Sequence, residues 1–172
     1  MKRILLLIIS LLAIFVILLP VIRQKFFTPL SSPRQQIVLT KVDRSFELTA
    51  KEKNGVKAEK IKFDLVSAEK VNQVARQGTP VKAPENQEFL ILALELGNDT
   101  KETLYFSSAE VVRLLEGEKR FAPDFHNQTV EIMPLSVKKD EVAFLVPKGN
   151  KQFKIQIGDV EQEQKEEVKI QF

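Results

Sequence analysis

From Gln36 to the C-terminus, apolar side chains return at every second position, and that period decides what the chain can fold into. Ile61, Phe63 and Leu65 alternate with Lys60, Lys62 and Asp64, and Val142, Phe144 and Val146 stand two apart. Phe153, Ile155 and Ile157 are separated by Lys154 and Gln156, and Val168, Ile170 and Phe172 by Lys169 and Gln171. Successive side chains of a strand point to opposite faces, so the pattern predicts strands with one face buried and the other in water. Phe89-Leu90-Ile91-Leu92-Ala93-Leu94 is apolar on both faces. This predicts a central strand, covered by the core on one side and by loops or a partner on the other.

The turn residues agree. Asn54-Gly55 lies between Phe46-Glu47-Leu48 and Ile61-Lys62-Phe63, and Asn-Gly favours a tight hairpin because both residues tolerate positive φ. Glu116-Gly117-Glu118 predicts a second hairpin between Val111–Leu115 and Arg120-Phe121, and Asn98-Asp99-Thr100 and Lys148-Gly149-Asn150 end two further runs. Eight to ten short strands at this spacing predict an all-β, immunoglobulin-like antiparallel sandwich. Ser67–Val74 has weak helical character and predicts a single helical turn, and Glu161–Glu167 reads as a solvated Gln/Glu-rich turn.

Ahead of this domain lies Ile4–Ile22, an apolar stretch that follows Met1-Lys2-Arg3 directly. As a helix it would be roughly 28 Å long, close to the roughly 30 Å hydrocarbon core of a bilayer. It is longer than the core of a secretory signal, and no small-residue cleavage pair appears between Pro20 and Pro33. The expectation is therefore an uncleaved signal anchor over residues 1–25, with Ile4, Leu11, Leu12, Phe15 and Ile22 among the side chains that would face lipid. The alternative is secretion after signal cleavage. Residues 26–35, FFTPLSSPRQ, read as a short extended linker with Phe26 and Phe27 at headgroup level, and residues 36–172 as one domain. The basic residues on the two sides of the run nearly cancel as orientation signals. A signal-like start followed by one large domain still favours a single pass with the C-terminal domain outside the cytoplasm.

Charge follows the same division. Of 26 basic residues, Lys2, Arg3, Arg23 and Lys25 flank the apolar run, and the 22 that remain stand against 23 acidic ones, a net charge of −1. A phosphate-binding domain needs a clustered positive face, so nucleic acid is not an expected partner. The flanking cations suit anionic lipid headgroups instead. With no cysteine and one histidine, a cluster of the usual zinc ligands cannot be assembled. No G-x-S-x-G elbow and no glycine-rich phosphate loop is present. No cofactor and no enzymatic activity are expected.

Several of these segments together resemble a known family. Phe63–Lys70, Gly78, Phe89–Leu96 followed by Asn98-Asp99, and Asp140–Pro147 are similar to a prokaryotic family of unknown function found behind lipoprotein signals and N-terminal anchors. That family is related in fold to immunoprotective extracellular antigens. The resemblance covers about Lys60 to Phe172 and implies an immunoglobulin-like sandwich, with no catalytic residue to carry over. Lys138-Lys139-Asp140-Glu141 departs from the Pro-Gly-Glu-like turn common in the family, and the hairpin strand at Gln36–Lys53 is additional.

One segment stands out as a candidate site. Arg120–Gln128 brings Phe121, Asp124, Phe125, His126 and Asn127 together between two predicted strands, and binding residues concentrate on such loops. The structural alternative is that Phe121 and Phe125 plug the open end of the sandwich while Asp124 and His126 bond to loop backbone. One carboxylate is too few for Ca²⁺. Asn98-Asp99-Thr100 and Asn127-Gln128-Thr129 match the N-glycosylation pattern but read as plain turns. The functional expectation is a membrane-anchored module with a protein partner in the cell envelope. A tethered small-ligand or ion sensor is the alternative and predicts a polar pocket near His126. A carboxylate hydrolase would instead require two acidic residues converging in a cleft.

Overall fold

The alternating segments form thirteen strands and one short helix among the residues that the structure, a computed structural model, describes: 38–53, 55, 58–76, 79–158 and 165–172. The first two, β1 (Val38–Glu52) and β2 (Ala58–Val71), make the long hairpin that Asn54-Gly55 predicts, with Phe46 opposite Phe63 and Leu48 opposite Ile61. Gly55 sits at φ +66°, in the left-handed region that glycine enters without penalty. β3 (Gln73–Arg76) and β4 (Thr79–Lys82) form a small separate hairpin. β5 (Gln87–Asn98) is the doubly apolar strand, paired along its length with β2 and with β11 (Ser136–Pro147).

The larger sheet has the order β10-β6-β1-β2-β5-β11-β9, where β6 is Leu104–Phe106, β9 is Phe125–His126 and β10 is Val130–Ile132. The smaller sheet has the order β13-β12-β7-β8, formed by β7 (Val112–Glu116), β8 (Lys119–Phe121), β12 (Gln152–Ile157) and β13 (Glu166–Gln171). A one-turn helix, α1 (Ser108–Val111), leads into β7. Every strand pairing is antiparallel.

One hydrophobic cluster joins the two sheets. Phe63, Leu65, Leu92, Leu94 and Phe144 come from the larger sheet, and Val112, Leu114, Ile155, Val168 and Ile170 from the smaller. Phe63 anchors an aromatic seam, with Phe46 at 6.2 Å and Phe106 at 5.9 Å between ring centroids. A second, smaller apolar contact lies on the outer face of the larger sheet. There Phe125 meets the buried Phe89 edge-on, 5.2 Å between centroids, and supplies the cover that a strand apolar on both faces requires.

Three expectations are corrected. Ser67–Val74 is no helical turn: its first five residues continue β2, and Val74 belongs to β3. Pairing with Val38–Lys41 on one side and Phe89–Ala93 on the other outweighs the weak helical propensity. Glu166 and Glu167 belong to β13 rather than to a turn. The strands number thirteen among the described residues because the longer runs are joined by two- to four-residue pieces. The anchor and linker expectations, Ile4, Leu11, Leu12, Phe15 and Ile22 included, fall outside the described residues. Among the described residues no helix is long and apolar enough to cross a membrane.

Candidate functional site

The segment from Phe121 to Asn127 carries the chain from the smaller sheet to the larger, and its unusual composition follows from that crossing. Phe121 ends β8 opposite Leu114 and is 41% exposed. Three residues later the Asp124 backbone N–H donates to the Ala143 carbonyl (2.9 Å), while its carboxylate accepts from the Leu145 N–H (2.7 Å). The carboxylate thus substitutes for a strand partner along β11. Phe125 then turns onto Phe89, and His126 pairs with Val142. His126 Nδ1 lies 2.8 Å from the Asn127 carbonyl oxygen, and its side chain is exposed.

Asn127 Nδ2 donates to Asp140 Oδ1 (2.7 Å), and the Ser108 hydroxyl donates to Asp140 Oδ2 (2.6 Å). Asp140 is buried, so two donors satisfy a carboxylate that would be costly to bury alone. The fold brings Asp124, Phe125, His126 and Asn127 together on the β11 side of the larger sheet and leaves Phe121 on the smaller one. Phe125 covers the outer sheet face rather than plugging the end of the sandwich, whereas Asp124 and His126 both bond to backbone.

Two buried polar constellations escaped the sequence reading. Asn98, fully buried at the end of β5, accepts from the Thr100 N–H and hydroxyl and donates to the carbonyls of Glu102, Ile132 and Met133. It thereby ties the end of β5 to the end of β10. Lys70 and Glu88 form a buried ion pair, Nζ to Oε1 at 2.9 Å, on neighbouring strands. No local motif announces either one.

On the outer face of the larger sheet, burial and, secondarily, the charge of Glu141 hold the Glu69 carboxyl above its ordinary value. These two carboxylates lie on a sheet face, on β2 and β11. Among the described residues no group of three or more His, Asp or Glu could hold a metal ion. A groove of about 430 Å³ runs between Thr40–Arg44 of β1 and Glu167–Gln171 of β13, and none of the five candidate loop residues lines it.

No protein-family model and no curated protein matches the chain. Among solved structures, the crystal structure of a conserved hypothetical protein from Bacillus anthracis is similar over 80% of this chain and 99% of its own, at a TM-score of 0.50 and 16% identity. At that identity the likeness concerns the fold alone.

Proposed function

We propose that this chain is a membrane-anchored, immunoglobulin-like module displayed outside the cytoplasm, working by protein contact within the cell envelope rather than by chemistry. The reading joins the apolar Ile4–Ile22 segment to a β-domain resembling the anchored ectodomain family. The observation that carries it is a braced apolar turn between β10 and β11. Met133, Leu135 and Val137 are 57, 72 and 65% exposed, at alternate positions within five residues. The backbone of Met133 and Leu135 is held by Asn98, by the Ser136 hydroxyl on the Met133 carbonyl (2.6 Å), and by the Leu135 N–H on the Thr100 carbonyl (3.1 Å), and Val137 lies at the start of β11 opposite Gly97.

Leu135 sits at φ +50°, a region that costs a leucine about 1 kcal/mol or more. Strained, rigid and apolar in water, the turn has the character of a contact surface that loses little freedom on binding. Asparagine adopts positive φ readily. Leu135→Asn is therefore expected to leave the melting temperature unchanged or raised, and to abolish capture of the envelope partner when intact cells are cross-linked. Undiminished capture would remove this turn from the interface. If cross-linking the wild type enriches no protein while externally added protease reaches the domain, the small-ligand sensor becomes the better reading.

The anchor has a separate test. Leu12→Arg places a charge near the middle of the apolar stretch, at a cost of about 2.5–3.5 kcal/mol of insertion free energy. The variant is expected to shift from the alkali-washed membrane pellet toward the soluble fraction. Retention equal to that of the wild type would argue against a spanning helix at this segment.

A further inference from the structure

We infer that β13 is a self-pairing edge, through which two copies of this chain associate antiparallel about a two-fold axis at Val168. The inference rests on the interaction-module reading and names one partner, a second copy. β13 ends the smaller sheet, and among the described residues its outer edge pairs with no strand. At six residues it is longer than the other strands that end the two sheets, three residues for β8 and β10 and two for β9, while β1, which among the described residues pairs with β6 only at Lys51 and Glu52, leaves a further open edge over Val38–Ala50. Short edges resist pairing and longer ones invite it. The groove beside β13 is crossed by the Thr40 hydroxyl on the Gln171 carbonyl (3.0 Å) and by the exposed Arg44–Glu166 pair (3.6 Å). The other cation on that wall, Lys41, is paired with Asp43.

Charge selects the register. With the axis at Val168, residues whose numbers sum to 336 stand opposite each other, so Glu167 of each copy faces Lys169 of the other. Both side chains are exposed, and neither belongs to an ion pair among the described residues. Moving the axis to Glu167 sets glutamate against glutamate, and moving it to Lys169 sets lysine against lysine. Registers with an odd sum exchange the buried and exposed faces. The Val168 axis keeps Val168 and Ile170 on the core side while setting opposite charges against each other on the outer side, whereas an axis at Glu166, which would set Lys165 against Glu167, brings Glu166 against Glu166. The interface repeats one strand in an isologous contact, the commonest closed symmetry of homodimers. So small a contact makes a weak pair, favoured where copies are concentrated.

The test uses the full-length chain in lipid vesicles, with cross-linked dimer as the readout. Glu167→Lys and Lys169→Glu each set like charges opposite across the axis. Each variant alone is expected to lose dimer at least tenfold with its melting temperature unchanged. An equimolar mixture of the two restores opposite charges at both positions and is expected to recover the dimer, as is the double exchange within one chain. Recovery in the mixture cannot come from the apolar segment, which is identical in all variants. A wild type that stays monomeric, or single variants that remain dimeric, would overturn the inference. If self-pairing fails while Leu135-dependent capture persists, the module reading stands without it, and if both fail, the module reading falls as well.

Discussion

Replacing Asn98 with alanine is expected to cost about 4 kcal/mol of folding stability, a fall of roughly 10–15 °C in melting temperature for a domain of this size. The carboxamide is fully buried. Its Oδ1 accepts from the Thr100 N–H (2.9 Å) and hydroxyl (2.8 Å), and its Nδ2 donates to the carbonyls of Glu102 (2.8 Å), Ile132 (3.1 Å) and Met133 (3.1 Å). Two N–H hydrogens serve three carbonyl oxygens, so at least one hydrogen is shared. Alanine would leave those carbonyls and one backbone N–H short of partners where strand ends β5 and β10 meet. Each buried polar group left unsatisfied costs about 1–3 kcal/mol, and water reaching the exposed Glu102 side reduces the total. Asn98→Asp keeps the shape but turns an oxygen toward the carbonyls in place of donors. At pH 7 it is expected to be at least as damaging as alanine, with partial recovery at acidic pH, where a protonated carboxyl can donate again. Urea titrations of both variants decide the matter: a loss below 1 kcal/mol for alanine would show that the strand ends hold together without the amide. The same burial removes Asn98 as a glycan acceptor in the folded chain.

Sequence periodicity reaches the strands but stops where distant residues converge. The β1–β2 register could be read because Asn54-Gly55 sits between two alternating runs, so that Phe46 meets Phe63. The two-sided apolarity of Phe89–Leu94 announced a covered central strand without saying that Phe125, from a segment that looked like a ligand loop, supplies part of the cover. That segment was conspicuous for a physical reason: a crossing between sheets needs an aromatic to seat on one of them and a carboxylate to substitute for missing strand partners. Asn98 reads as a turn residue because the carbonyl of Ile132 that it serves is 34 positions away. In β2 the buried positions are Ile61, Phe63 and Leu65, and then Ala68 and Lys70. The irregularity between Leu65 and Ser67 shifts the parity of the strand, and no residue there marks it. Read without that shift, Lys70 belongs to the wet face, whereas the irregularity turns it to the buried one.

That lysine supplies the second large effect. Glu88→Ala is expected to destabilise the domain by about 4 kcal/mol, whereas Lys70→Met combined with Glu88→Leu should cost much less than either single change. Lys70 Nζ donates to Glu88 Oε1 (2.9 Å) and to the Asn150 carbonyl (2.9 Å), and lies 5.3 Å from the centroid of the Phe172 ring. Glu88 Oε1 also accepts from the Gly149 N–H (3.3 Å). Only about a tenth of each side chain reaches solvent. Removing the carboxylate alone strands an ammonium in a site where one carbonyl and one ring cannot replace hydration, and that uncompensated charge is the source of the penalty. Removing both charges eliminates the penalty along with the attraction. Denaturation of the wild type, Lys70→Met, Glu88→Leu and the double variant closes a cycle whose coupling is expected to exceed 2 kcal/mol. Additive losses would show that Lys70 and Glu88 act separately. Salt gives an independent check, since about 1 M salt shortens the Debye length to roughly 3 Å and weakens exposed pairs such as Lys41–Asp43. A coupling between Lys70 and Glu88 that persists there belongs to a desolvated pair, and one that disappears belongs to a pair open to water.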